Sequence, residues 1–333
     1  MRRGFTLIEI LVAILIVSLL LGAAYVTYIT IIKGFGRETK SVETQIETAV
    51  GLELIRLDIE HAGYGIGEDQ PDLPVELDTV TNTLIIRSVL NNTRLIRDTV
   101  TGDPIHWSLV ECQGPGLIPI VSAGDDVTNI PSNTGLVFLG AANRVHAGTT
   151  TDGTCPGAGI FVAVPYDTTV ANGCTTQFCN IIRYFLSGGQ NLPTCNPNTR
   201  NLLRAVGDSP GSPLINCVAD VRFTFDVDRD GDGVVDVRDG DFSSLDINGD
   251  TAVTAGEVRN HLRAVNVYIL LQEGGFDRDY DFRNFRTCSV APADPRLSGD
   301  CVVTETGVEL NLPLDFRNYR WKVVKLSVRA MNL

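Results

Sequence analysis

The sequence predicts an α+β chain in which one long N-terminal helix lies across a mostly antiparallel β-sheet. Two observations carry this. No residue from 10 to 32 is charged, and a stripe of helical period follows that run. Beyond residue 66, short apolar runs, several with period two, alternate with stretches rich in Gly, Pro, Asn and Thr. The first pattern is that of a helix and the second that of half-buried strands joined by loops. Strands that follow one another without intervening helices favour an antiparallel sheet with a helix on one face.

The helix divides in two. As a helix the 23 residues of the uncharged run span about 34 Å, enough for a hydrocarbon core with some tilt. An ordinary cleaved signal peptide fits less well, because the basic region is only Arg2 and Arg3 and no small-residue cleavage site follows. Those arginines favour a cytoplasmic N-terminus, although Lys33, Arg37 and Lys40 weaken the asymmetry. From residue 33 to 65 an outer half is expected to pack on the globular domain. Its apolar stripe is Val42, Ile46, Val50, Leu54 and Leu57, with Glu43, Glu47 and Glu53 opposite. Gly63 and Gly65 then end the helix.

Glu9 is out of place in this pattern. It sits among Phe5, Thr6, Leu7, Ile8, Ile10 and Leu11, where an ionised carboxylate costs at least a few kcal/mol. The apolar run holds no cation within helical reach, so the partner must come from a terminus or another chain. Here Arg3-Gly4-Phe5-Thr6-Leu7-Ile8-Glu9 resembles the processing signal of the type IV prepilin family. The resemblance implies a leader, residues 1–4, removed by a prepilin peptidase after Gly4, and methylation of the new Phe5 amine. It also implies that Glu9 neutralises the Phe5 amine of a neighbouring subunit. A membrane and filament-core helix would cover residues 5–32, and a β-rich periplasmic domain residues 66–333.

Two further stretches narrow the resemblance. Residues 54–65, with Asp58-Ile59 followed by Ala62-Gly63-Tyr64, are similar to the helix end of PilW-type minor pilins. The basic closing strand around Tyr319, Trp321, Lys322 and Lys325 is similar to theirs as well, except that Ala330-Met331 stands where a Leu-Arg pair is expected. Across 70–215 the likeness is faint.

In the outer domain, residues 84–86 and 135–139 read as buried strands. Val221, Phe223 and Phe225 form one face of another strand; Val265, Val267, Ile269 and Leu271, and then Val324, Leu326 and Val328, form two more. Residues 149–159, 191–201 and 207–213 read as loops. All eight cysteines lie beyond residue 110, an even number in a loop-rich segment behind a membrane anchor, which predicts disulfides in an oxidising compartment. Eight cysteines allow about 105 pairings. Close spacing favours Cys174 with Cys179 and Cys288 with Cys301; Cys112–Cys155 and Cys195–Cys217 are weaker pairings.

The net charge is −13, and ten acidic residues against two arginines place −8 of it within residues 226–257. An acidic chain argues against a nucleic-acid partner. The spacing inside the cluster is that of a twelve-residue calcium loop. Asp228, Asp230 and Asp232 hold positions one, three and five, and Gly233 is at six. The Val234 carbonyl is at seven, Asp236 at nine and Asp239 at twelve. A second loop has Asp246, Asn248 and Asp250 at one, three and five, the Ala252 carbonyl at seven and Glu257 at twelve. Its Thr251 replaces the glycine at six and should strain or re-route the turn. The pair resembles EF-hand or dockerin-type loops in a compact form, because six residues between them leave no room for full helices. The cofactor implied is Ca²⁺. Asp277, Asp279 and Asp281 alternate too but lack a glycine turn, and read as a solvated face.

The resemblance implies a single-pass inner-membrane protein that joins a pilus with other pilins. Its role would be that of a minor pilin in assembly or a tip and priming complex, braced by calcium. A type II secretion pseudopilin and a pilus-associated adhesin are the alternatives. An enzyme is not expected: His61, His106, His146 and His261 are scattered, and no G-x-S-x-G or H-E-x-x-H occurs.

Overall fold

The computed structural model describes residues 7–90, 96–170 and 172–333; the side chains of residue 30 and of residues 32–44 are not described. One helix runs unbroken from Leu7–Glu60, 54 residues long. Its first part, Leu7–Ile29, is long and apolar enough to cross a membrane, and none of its residues is buried by the rest of the chain. Among the described residues, the helix meets the outer domain from Gln45 onward.

The helix meets that domain with a different face from the expected stripe. Ile46 and Val50 are 61% and 65% exposed, and Leu54 and Leu57 are half-buried. The buried side instead carries Thr48, Gly51, Ile55, Asp58 and Ile59. The apolar stripe misleads because the inward face includes a glycine that lets the helix close on Ile215 and an aspartate with buried partners. Burying Ile55 and Ile59, each at most 1% exposed, stabilises the docking by about 1.5–3 kcal/mol per side chain. The helix ends at Glu60, with a last helical bond from the His61 N–H to the Leu57 carbonyl at 3.1 Å, and Gly63, with φ of 77°, takes the left-handed turn that redirects the chain. A Cβ there would lie 2.8 Å from Leu333, so the C-terminus closes over the helix end.

Among the described residues the strands form three antiparallel sheets. The largest runs in the order Val75–Asp78, Thr83–Ser88, Asn180–Leu186, Arg200–Val206, Ser212–Val227, Leu262–Glu273 and Arg320–Val328; Val237–Gly240 adds to Ser212–Val227. Its helix-facing side carries the main core, including Val221, Phe223, Phe225, Val265, Val267 and Ile269 around Ile55 and Ile59. Tyr268 and Leu270 point to the opposite side. There they pack on a three-stranded sheet, Arg286–Thr287, Leu297–Val303 and Glu309–Pro313, through Leu310, Leu312 and Phe316.

The third sheet has five strands, in the order Ile120–Gly124, Ser108–Gln113, Ala158–Asp167, Thr134–Gly140 and His146–Thr150. Val110, Leu136, Phe138 and Ala163 fill one of its faces. Val137, Leu139, Val164 and Tyr166 pack on the other with Val89 and Tyr64, just past the helix end. The runs at 84–86, 135–139, 221–225, 265–271 and 324–328 lie in strands, whereas residues 158–159, 200–201 and 212–213, read as loop, begin strands. Four disulfides join Cys112–Cys155, Cys174–Cys179, Cys195–Cys217 and Cys288–Cys301, with Cα atoms 5.8, 5.5, 5.3 and 5.2 Å apart. The first of them bridges two buried cysteines in the core of the five-stranded sheet.

Candidate functional site

The two acidic loops are built alike. In the first, Asp228 Oδ1 accepts from the Gly231 N–H at 2.7 Å and Oδ2 from the Gly233 N–H at 2.8 Å. In the second, Asp246 Oδ1 accepts from Gly249 at 2.7 Å and Oδ2 from Thr251 at 2.8 Å. Asp230 and Asn248 each accept from the N–H two residues on, at 3.2 and 2.8 Å. Asp232 and Asp250 repeat this with Val234 and Ala252, at 2.7 and 2.9 Å. Such side-chain-to-backbone bonds are what Asp and Asn offer a turn. The expected difference at position six is one of strain, not path. Thr251 adopts φ of 73° beside 90° at Gly233, so the second loop follows the first in a conformation that a β-branched residue rarely takes.

Three carboxylates converge in the first loop. Asp228, Asp230 and Asp236 each offer an oxygen within 4.8 Å of the others. Asp228 is fully buried, and Arg263 donates to its Oδ2 from Nε at 3.0 Å and Nη2 at 2.5 Å. That guanidinium, helped by the Gly233 and Gly231 N–H groups, outweighs burial and holds the Asp228 carboxyl down to about 2. The Asp228 backbone also pairs with His261, whose carbonyl accepts its N–H at 2.9 Å. His261 ends the short helix Ala255–His261, and that helix begins on a capping box between Thr254 and Glu257. One rigid segment thus ties the end of the second loop to the start of the first.

The oxygen-only donor set of the first loop fits a hard cation in part. The closing position does not fit. Asp239 lies in the strand Val237–Gly240, and its carboxylate accepts from Thr224 Oγ1 and Tyr268 OH, both at 2.8 Å, and from Lys325 Nζ at 3.3 Å. Strand geometry turns the Asp239 carboxylate toward the sheet, where it braces Thr224, Tyr268 and Lys325. Asp232 is not among the three converging carboxylates. In the second loop, Glu257 Oε1 accepts from Ile247 and Asn248 N–H, and Oε2 from Thr254 N–H and Oγ1. Asp277, expected to be solvated, is buried and paired with Arg320 at 3.0 Å, while Asp279 and Asp281 are exposed.

One site escaped sequence reading. Asp58, 1% exposed on the docked face of the helix, accepts from Arg204 Nε at 2.6 Å and Nη2 at 2.9 Å and from the Tyr184 hydroxyl. Burial and the adjacent Asp58 carboxylate push Tyr184 well above the usual tyrosine range. This triad is the polar bolt between helix and sheet. Its signal lay in Asp58-Ile59 itself, a charged residue three after Ile55 on one helical face.

At the other end of the helix, Glu9 is exposed in the first described turns, while Gly4 and Phe5 lie outside the described residues. Residues 1–25 match the family described as the prokaryotic N-terminal methylation motif. No curated protein and no solved structure is significantly similar to the chain. An apolar N-terminal helix followed by antiparallel sheets fits a pilin-like layout. The prepilin-type motif and the helix are consistent with inner-membrane anchoring and a soluble C-terminal domain, and the motif suggests processing by a prepilin peptidase and assembly with other pilins. The N-terminal methylation motif thus indicates a type IV pilin- or pseudopilin-like protein.

Proposed function

We propose that the chain is a minor pilin that takes part in assembling a type IV pilus, in a priming or tip complex, and that calcium braces its outer domain. The observation that carries the assembly role is the helix surface. Apolar side chains stay exposed from Leu7 through Val26 and again at Ile46 and Val50, on the side turned away from the sheet. An apolar surface of that extent calls for lipid on its inner part and protein on its outer part. Three sheets on one helix make an outer domain too bulky to repeat closely along a filament, which favours a minor subunit over the major one. The PilW-type likeness at the helix end and closing strand favours a pilus over a secretion pseudopilin.

The calcium reading is supported by the shared backbone of the two loops and by the convergence of Asp228, Asp230 and Asp236. Calcium there would order residues 226–257 and stabilise the fold in proportion to RT ln(1 + [Ca²⁺]/Kd). Co-purification with neighbouring pilins from membranes tests both parts. The reading expects capture that drops on chelation and in an Asp228→Ala, Asp230→Ala variant; capture indifferent to both would remove calcium from it, and no capture of any pilin would remove the assembly role.

An adhesive outer domain is the second reading, favoured by apolar exposure on the five-stranded sheet. Ile118 is 71% exposed, and Ile120 and Ile160, 48% and 59% exposed, lie opposite the same residue, Glu111.

A further inference from the structure

The large sheet has a gap in its middle. The strand Ser212–Val227 pairs along 218–227 with Leu262–Glu273. On its other side it pairs with Arg200–Val206 only as far as Val218, and with Val237–Gly240 only from Phe225 onward. Between these lies an edge inside the sheet. In a regular ladder, alternate residues direct both main-chain groups to the same side, and Val221, Phe223 and Phe225 share that side here.

The edge is served by substitutes except at one residue. The Asp220 carboxylate accepts from the Val221 N–H at 2.9 Å, and Asn82 Nδ2 donates to the Val221 carbonyl at 2.8 Å. Two side chains thus imitate a neighbouring strand at Val221, and Gly240 does so at Phe225. Among the described residues, no strand or side chain pairs with the Phe223 main chain on this side. A groove of about 710 Å³ opens against it, lined on the far wall by residues 289–293 and 306–309. Asp239, Asp241 and Glu309 border it against the single cation Arg222. Asp239 and Glu309 already meet Lys325 and Arg286, whereas among the described residues the exposed Asp241 meets no cation.

We infer that this groove takes an extended segment of another protein, which adds as a short strand beside Phe223 and places a basic side chain at Asp241. Main-chain pairing at Phe223 supplies the register, and the acidic border selects the charge of the guest. The gap distinguishes this from docking at an outer edge of the sheet. An outer edge leaves a whole strand open, whereas here both flanks are closed and only a segment of a few residues fits. The inference does not rest on the assembly role and needs no bound calcium, although one flank of the slot, Val237–Gly240, belongs to the acidic region.

The test uses the full chain in lipid nanodiscs. Amide hydrogen exchange read by mass spectrometry with residue resolution comes first. Phe223 should exchange at least about tenfold faster than Val221 and Phe225. Equal protection of the three would mean that the slot is closed and would overturn the proposal. A displayed library of random four-residue segments between flexible Gly/Ser linkers is then selected on the same protein. The expected winners alternate β-branched residues with Lys or Arg. A synthetic winner should slow Phe223 exchange, and its binding should weaken at least about tenfold in Asp241→Arg and in Ala291→Trp, which fills the groove from an exposed loop. A selection that returns no binder, acidic winners, or winners that leave Phe223 exchange unchanged would also overturn it.

Discussion

Removing the Asp58 carboxylate should be the most damaging single change in the outer domain. Asp58 is 1% exposed and the Arg204 side chain 5%, so an Asp58→Ala variant leaves a guanidinium in the core with neither water nor a counter-ion. Two charge-assisted bonds at 2.6 and 2.9 Å disappear together with the Tyr184 contact. Breaking a buried pair from one side costs about 3–5 kcal/mol. With a urea slope of about 3 kcal/mol per M, the midpoint falls by about 1–1.7 M. Replacing all three members with apolar residues of similar size, in Asp58→Leu, Arg204→Met, Tyr184→Phe, should cost less than about 1.5 kcal/mol, because no charge is then left buried. The assay is urea unfolding of the full chain in detergent, followed by tryptophan fluorescence. A single variant within about 0.5 kcal/mol of the parent would refute the reasoning, since surface changes alone produce effects of that size. A triple variant as unstable as the single would show that the loss comes from packing and not from an orphaned charge.

Alkaline pH should weaken the fold. Tyr184 is pushed far up by burial and Asp58, and Tyr64 up to about 12 by burial and Asp125. Above about pH 10 the unfolded chain gives up these protons while the native state keeps them, so stability falls as pH rises, by up to about 1.4 kcal/mol per pH unit for each group. Unfolding measured from pH 8 to 11 should show a decline that is shallower in Tyr64→Phe. Opening the Cys112–Cys155 bridge, which spans 43 residues, should cost about 4 kcal/mol by chain entropy, against about 2 kcal/mol for the five-residue Cys174–Cys179 bridge. Thermal melts of the two double-alanine variants compare them directly. Thr251→Gly relieves a left-handed threonine and should raise stability by about 1 kcal/mol, read as an upward shift in the melting midpoint.

How much was legible depended on whether a residue's role was local. The long helix, its stop at Gly63 and the strands at 221–225, 265–271 and 324–328 follow from patterns within a few residues, and the sequence shows them. The backbone of the acidic loops is legible for the same reason, because each Asp or Asn bonds an N–H within five residues of itself. Asp239 is different. Its position in the loop count suits a ligand, but its strand, paired through Gly240 with Phe225 and through Val237 with Val227, turns it toward Tyr268 and Lys325, distant in sequence. The docked helix face departs from the apolar stripe because it carries the buried Asp58. Its partners Tyr184 and Arg204 lie 126 and 146 residues away, and no local pattern announces them. The five-stranded sheet escaped for a related reason. Strands such as Ile120–Gly124 and His146–Thr150 are short, largely exposed and interrupted by glycine, and they gain order only from their neighbours.

The most direct test of the pilin assignment is the mass of the N-terminal peptide of the mature protein, extracted from membranes of cells that carry a prepilin peptidase. The mature chain should begin at Phe5 with one added methyl group on its amine, and a Gly4→Ala variant should keep Met1 to residue 4 and stay unmethylated. A mature chain that retains Arg2 and Arg3, or one cut elsewhere along the apolar helix, would contradict it.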